Sequence, residues 1–548
     1  MSWSSDLRNP VGLGAPLNVL DTYNVDGLTP AITADFAKGT LALGGDMLAF
    51  NDLLTYERDD VAWKLNALGH WVEVPADTPR TGHHVWKDGK LVPAGIAVCA
   101  SSRTNHVSNS EKFETTWAST DVTITANTHV SPDGTMSADT LTRSGEQGYL
   151  IKSSAGVNGQ TKSIHARTVT GTGTVGLLSH NSVPASEVAL TEEWQRFDMP
   201  VDTAETGGSN FYAVDFRVGD LDEIVVWGAQ LEDGPYPTDY IATENVSVST
   251  NPETLTIDAV SVAKAIGVFG PELIANNDFS DDLTGWVSAS DGILSVTSDG
   301  LLSVANLPDD LAGFATQQFA TELDELYLVE IDIANVTNRR VAGVGTSASG
   351  DRNLLDFGIN DQVGKFSGFF TGTGGNVHIQ LASFDLGATT LYRSATVRKV
   401  TMPDALSFVV KGYMTYEDED AFSTVRVLTL DAGSDDKISY DHSTNGVDTG
   451  QMFFIHRVGG VSDNASTSDT DKAPGVHVPF SYASRHSSTS VRGASDGVLT
   501  PGKTPSGVPN ILGHDLEIAT IGNLIISELH VFADYLSNDG LIEASSTN

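Results

Sequence analysis

The chain has 548 residues, 40% of them apolar, with 31 basic and 71 acidic side chains and a net charge of −40. One core seldom grows beyond about 250–300 residues, so two to four domains are expected, and so acidic a surface argues against nucleic acid as a direct partner. The single cysteine, Cys99, excludes an internal disulfide and a cysteine-based zinc site, and no apolar run reaches the roughly 18 residues of a membrane span.

The acidic residues are spread along the chain, which points to colloidal solubility rather than to an acidic tail. The start, Met1 to Asp6, has neither the basic opening nor the apolar core of an export signal, so synthesis in a reducing cytoplasm is expected. Residues 1–30 are interrupted by Pro10, Gly12, Gly14, Pro16 and Pro30, the mark of an extended segment that lies on a partner's surface or stays disordered. From 31 to 103, short strands at Thr40–Leu43, Leu53–Arg58, Trp63–Leu65, Trp71–Val74 and Gly95–Cys99 alternate with turn signals such as Lys87-Asp88-Gly89-Lys90. From 104 to 243, Asp121–Thr125, Ser163–Val169, Glu192–Phe197 and Glu223–Glu232 alternate with period 2, as half-buried strands of a sheet pair do.

Residues 244–269 read as a bridge. Residues 270–403 repeat the logic of the second region, opening at Glu272–Ser280 with Gly285-Trp286 and closing at Thr390–Arg393 and Thr396–Val400. From 404 to 548, strands are expected at Ser407–Tyr413, Val425–Leu430, Met452–His456 and Gly522–Phe532, with a polar loop over Gly459–Pro474. Helical periodicity is confined to Asp35–Lys38, Asp309–Ala312 and Leu536–Ala544. The fold class is therefore all-β, several sandwich modules behind an extended N-terminal segment.

Three stretches resemble structural proteins of tailed bacteriophages and prophages. In the first, Tyr56-Glu57-Arg58, Thr78-Pro79-Arg80, Gly95–Val98, Ser102-Arg103-Thr104-Asn105 and Ser110-Glu111-Lys112-Phe113 to Trp117 follow one another in the family's order. In the second, Pro132-Asp133-Gly134-Thr135 with Ala138-Asp139, then Trp194-Gln195-Arg196-Phe197, then Trp227-Gly228-Ala229-Gln230-Leu231-Glu232 with Tyr240-Ile241, look like the family's carbohydrate-binding-like jelly roll. In the third, Leu273 to Trp286 is similar to the opening of carbohydrate-binding jelly rolls, with Asn277 where glycine is usual. The closing strand, Ile525 to Phe532, resembles the last strand of concanavalin-like (laminin-G-like) lectin sandwiches. The resemblance implies jelly rolls at 104–243 and 270–403, inserted into one lectin-like sandwich made from 31–103 and 404–548, with 1–30 docking the chain to the virion.

Modules of this kind bind sugar with aromatic faces and with Asn, Asp, Gln and Arg. The candidates are Trp63, Trp71, Trp86, Trp286, Tyr413 and Tyr440, although the motif positions of Trp194, Trp227 and Trp286 favour core. By resemblance Asp278 is a carboxylate for a structural calcium ion, and Asp463, Asp469 and Asp471 offer a second set of hard oxygen ligands. No cofactor is required. Gly493-Ala494-Ser495-Asp496-Gly497 matches a nucleophile-elbow pattern, but Pro501 and Gly502 follow where a helix is needed. His83, His84, His442, His456, His477, His486 and His514 are scattered, without metalloprotease spacing.

Three functions stay open. The first is a virion fibre, spike or decoration protein, on head or tail, whose lectin-like modules attach to host-surface glycans, non-enzymatic and homotrimeric. The second is a structural capsid or tail component that binds no sugar. The third is a polysaccharide depolymerase, for which the β-helix period is missing. No sustained heptads supply a trimeric coiled coil either, so any trimer rests on β-module faces and the N-terminal segment.

Overall fold

The structure, a computed structural model, describes residues 23–153, 159–178, 186–200, 210–280, 282–419, 423–467 and 472–546. Strands make up 54% and helices 6%, in several antiparallel sheets, so the all-β expectation holds. Among the described residues no helix is long and apolar enough to cross a membrane.

The first jelly roll packs two sheets around Phe113, Leu141, Ile164, Phe216 and Leu231. One sheet contains, in order, Ala138–Arg143, Glu223–Asp233, Gln160–Thr168 and Gln195–Pro200. The other contains Tyr149–Ser153, Asn210–Gly219, Gly173–Leu177 and Ser186–Leu190. Counting these strands along the chain, the first, eighth, third and sixth share one sheet and the second, seventh, fourth and fifth the other, which is the double Greek key of a jelly roll. The second jelly roll repeats this order. Leu302–Ala305, Thr389–Thr401, Leu326–Val336 and Gly364–Thr371 face Ala312–Ala320, Asn376–Phe384, Arg339–Gly345 and Leu355–Asn360. Its core holds Phe279, Trp286, Tyr327, Ile331 and Tyr392.

Both ends of the chain build the remaining sandwich. The strand Asn523–Phe532 gives one edge to Ala405–Tyr416. Its other edge is shared, with Ile32–Asp35 along Glu528–Val531 and Lys90–Cys99 along Asn523–Ile526. The facing sheet runs Met452–Val458, Lys437–Ser443, Thr424–Asp431, Leu516–Ile521, Thr254–Ile257 and Thr55–Glu57. A single core, with Ile32, Ile96, Leu255, Phe408, Val427, Tyr440 and Leu529, joins the two.

The stretch 244–269 is thus more than a bridge. It supplies the strand Thr254–Ile257, and Asp258 then caps a helix, Ala259–Ile266, by accepting from the Val260 and Ser261 amides at 3.0 Å each. Val262, Ala263 and Ile266 bury in the sandwich core, where Leu328 and Val400 of the second jelly roll also reach. Of the expected helices, Leu536–Ala544 is realised as Asn538–Ser545. Asp35 instead ends a strand paired with Glu528, and Ala312 begins one paired with Phe384.

Of the expected docking segment, residues 1–22 lie outside the described residues. Residues 23–30 fold onto the sandwich: Val25 bridges to Leu28, and the Tyr23 ring stacks on His530 at 3.6 Å. Asp26 accepts hydrogen bonds from the Ser537 amide (2.6 Å) and hydroxyl (2.9 Å), just before the C-terminal helix.

Candidate functional site

Several of the sequence-motif residues, Arg58, Arg80, Asn105 and Tyr240 among them, converge where the first jelly roll meets the split sandwich. Arg58 follows the strand Thr55–Glu57 and Arg80 begins the strand Arg80–Lys87; both are buried, and both point at Glu253. Arg58 Nη1 lies 3.3 Å from Glu253 Oε1, and Arg80 Nη2 donates to Glu253 Oε2 at 2.9 Å. The other arm of Arg80 donates to Asp239 Oδ2 at 2.6 Å. Two cations and two carboxylates thus satisfy one another out of water, as buried charges must.

Asn105 and Tyr240 fasten the opening of the jelly roll to its end. Asn105 Nδ2 donates to the Ala229 and Ile241 carbonyls, and its Oδ1 accepts from the Val107 and Leu231 amides. The Tyr240 hydroxyl donates to Glu111 Oε1 at 2.7 Å and bonds Ser110 Oγ. Gly228 has φ +63°, and a Cβ there would lie 3.1 Å from the Tyr240 ring and 3.3 Å from His165, so the motif needs glycine at this position.

Beside this network a cleft of about 220 Å³ opens, lined by Trp63, Glu73, Arg103, Tyr240, Asn251 and Glu253 among others. The Trp63 ring meets Tyr240 edge-on at 5.5 Å. Arg103 leaves its buried Nε without a hydrogen-bond partner. Cys99 also lines the cleft; burial, with Glu253 beside it, pushes its thiol up to about 11, so it is not a nucleophile at neutral pH. An aromatic wall with a cation, carboxylates and an amide around it is suited to a polyhydroxylated ligand.

Next to the cleft, His83, Asp239 and His477 bring one ligand atom each within 4.8 Å of one another. His83 comes from the strand Arg80–Lys87, His477 from Gly475–Ser487, and Asp239 from the end of the jelly roll. Burial pushes the His83 imidazole down to about 4 and lowers His477. Burial acts to raise the Asp239 carboxyl, but His83, Arg80, His477 and Arg196 outweigh it and hold the group below the usual carboxylate range. These residues are far apart in the chain, so no spacing signal reveals them; only the split topology gathers them.

The expected aromatic sites divide. Trp63 lines the cleft, and Trp86, 59% exposed, presents an open ring on a hairpin outside it. Tyr413 is half-buried against Val85, Val92 and Ile525. Trp71 is buried with its Nε1 donating to His165 Nε2 at 3.2 Å, and Tyr440 is fully buried, bonded to the Phe408 carbonyl and Ser484 Oγ. Trp286 is core, its Nε1 donating to the Asn276 carbonyl. These last three have no face left for a sugar, because each is packed inside a hydrophobic cluster.

The calcium candidates are not gathered. Asp278 is exposed and, among the described residues, accepts from the amide and hydroxyl of Ser280, while Asp463 lies in the sandwich beside His456. Neither belongs to a cluster of three ligands among the described residues, and Asp469 and Asp471 lie outside those residues. Ser495 ends the strand Val491–Ser495 and is followed by a turn and the strand Val498–Leu499, a hairpin rather than a strand-to-helix elbow. No protein-family model matches the chain, and no curated protein matches it.

Proposed function

We propose that the chain is a virion structural protein of a tailed phage, a fibre, spike or decoration protein, and that the cleft between its first jelly roll and its split sandwich binds host-surface glycan. The observation that carries this reading is the cleft itself, whose lining holds Trp63, Glu73 and Asn251 together with Arg103, the Nε of which is buried without a hydrogen-bond partner. A pyranose would lay its apolar face on Trp63 while its hydroxyls, or an acidic sugar's carboxylate, meet Arg103. The sequence resemblance supplies the phage context, and homotrimer formation through β-module faces belongs to the same reading.

An array of bacterial surface polysaccharides tests the site. The wild type is expected to bind a subset, and Trp63→Ala and Arg103→Ala to weaken that binding at least about tenfold, about 1.4 kcal/mol each. Trp86→Ala, outside the cleft, should leave it unchanged. Binding that survives Trp63→Ala would remove the cleft from the account. The burial of Trp71 and Tyr440 favours a second reading, a particle component without sugar binding, for which the folded protein binds nothing on the array.

A further inference from the structure

We infer that His83, Asp239 and His477 form a binding site for a divalent transition-metal ion of the zinc class, which ties the first jelly roll to the split sandwich. The donor set is two imidazoles and one carboxylate, each brought by a different part of the chain. That combination suits zinc, cobalt, nickel or ferrous iron and does not suit calcium, which takes oxygen ligands.

The strongest sign is His83. Its side chain is fully buried, yet neither ring nitrogen has a hydrogen-bond partner. Its Nε2 lies 3.7 Å from Asp239 Oδ1, too far for a hydrogen bond. An imidazole enclosed without partners has lost its water and gained nothing for it, and a metal ion at that face would supply the missing interaction.

The surroundings orient the carboxylate. Arg80 holds Asp239 by Oδ2, which leaves Oδ1 on the histidine side, and Arg80 carries Glu253 on its other arm, so its charge is matched. This is how partners outside the ligand set commonly fix a ligating group. Donors about 2.0–2.2 Å from one ion stand roughly 3–4 Å apart, so ligand atoms that all lie within 4.8 Å of one another reach a common ion with side-chain shifts of at most about an ångström. Three protein ligands leave further positions for water or for a ligand group reaching in from the adjoining cleft.

Cobalt(II) is the probe. Untagged full-length protein, stripped with a chelator and dialysed, is titrated with Co²⁺ and read by visible absorption, with metal content measured by mass spectrometry. The expected result is one Co²⁺ per chain with ligand-field bands that Zn²⁺ displaces, and a Tm that Zn²⁺ raises and chelator lowers again. His477→Gln and Asp239→Asn, at positions less enclosed than His83, should weaken Co²⁺ by more than the 10–100-fold that loss of an outer partner costs. Circular dichroism on the stripped variants confirms that they are folded. Absence of bands from folded wild type at millimolar Co²⁺ overturns the proposal, as does wild-type affinity in both variants.

Discussion

Glu253 shows how a single residue decides this molecule's architecture. It precedes the strand Thr254–Ile257, accepts from Arg58, Arg80 and the Cys99 amide, and so joins three segments of the sandwich to the base of the cleft. Removing one partner of a buried ion pair is far worse than never having had the pair, because the remaining charge stays dehydrated. Glu253→Gln should therefore destabilise the protein by about 3–5 kcal/mol in chemical denaturation; a loss below about 1 kcal/mol would mean that water reaches these arginines and that the pair behaves as a surface one. At this scale the sequence was only partly legible. Arg58, Arg80, Asn105 and Tyr240 stood out through the motifs, but motifs do not say that they turn inward to one another. Tyr440 could have been read as core: in Lys437–Ser443 it shares the period-2 face of Ile438 and His442, and all three are buried. His83 and His477 carried no local signal at all, since their neighbourhood is made by chain segments that meet only in the folded state.

Strands were legible element by element because alternation is a local property. In Leu326–Val336 the sequence itself separates the buried Val329, Ile331 and Ile333 from the more exposed Glu330 and Asp332. The hairpin at Asp88-Gly89 was equally plain: both residues take positive φ, 50° and 72°, the requirement of a two-residue turn whose twist matches its strands. Helices were less legible. Ala259–Ile266 has a start signal in Asp258 and apolar residues at Val262, Ala263 and Ile266, yet it is only two turns long and lies within the stretch 244–269 that is expected merely to connect. Asp35–Lys38 offers little more than one helical turn, and here Asp35 pairs with Glu528 while the residues after it turn the chain back into the strand Thr40–Leu43. The Asp258 cap gives the element scale its test: Asp258→Ala should cost about 1 kcal/mol, with faster amide exchange confined to Ala259–Ile266 and its neighbours. Unchanged exchange there would mean that burial of Ile266 and Val262 holds the helix without its cap.

The whole molecule buries several histidines, and this sets its response to acid. Burial pushes His83 down to about 4 and His442 to about 3, and holds His165 and His486 well below the usual range. In the unfolded chain histidines titrate near 6.5, so above that pH both states are neutral and the group contributes nothing. As pH falls from about 6.5 towards 4, the unfolded chain binds protons that the folded chain refuses, and stability drops by about 1.4 kcal/mol per pH unit for each such histidine. Burial raises Asp139, to about 6, and also Glu111, Asp198, Glu232 and Glu417, which work in the opposite sense, but fewer carboxyls are raised than histidines lowered, His129, His456, His477 and His530 being lowered too. The denaturation midpoint should therefore fall between pH 7 and pH 5, and less steeply in His442→Gln; a flat profile would place water around these rings. The split topology was beyond periodicity, which finds strands but not their partners. The resemblance suggests one sandwich from the two ends of the chain but leaves open whether the jelly rolls split it, and the pairing of Asn523–Phe532 with Ile32–Asp35 and Lys90–Cys99 is the register that joins those ends.

The central claim is that the cleft beside Trp63 meets glycan on a bacterial surface, and cell binding tests it most directly. Fluorescently labelled protein would be added to intact bacteria of candidate host strains, with and without mild periodate oxidation of their surface sugars, alongside Trp63→Ala. If the proposed glycan site is real, the protein binds some strains, periodate abolishes that binding and Trp63→Ala loses it. Binding that resists periodate, or none at all by folded protein across those strains, would contradict it and leave the modules as packing units of the particle.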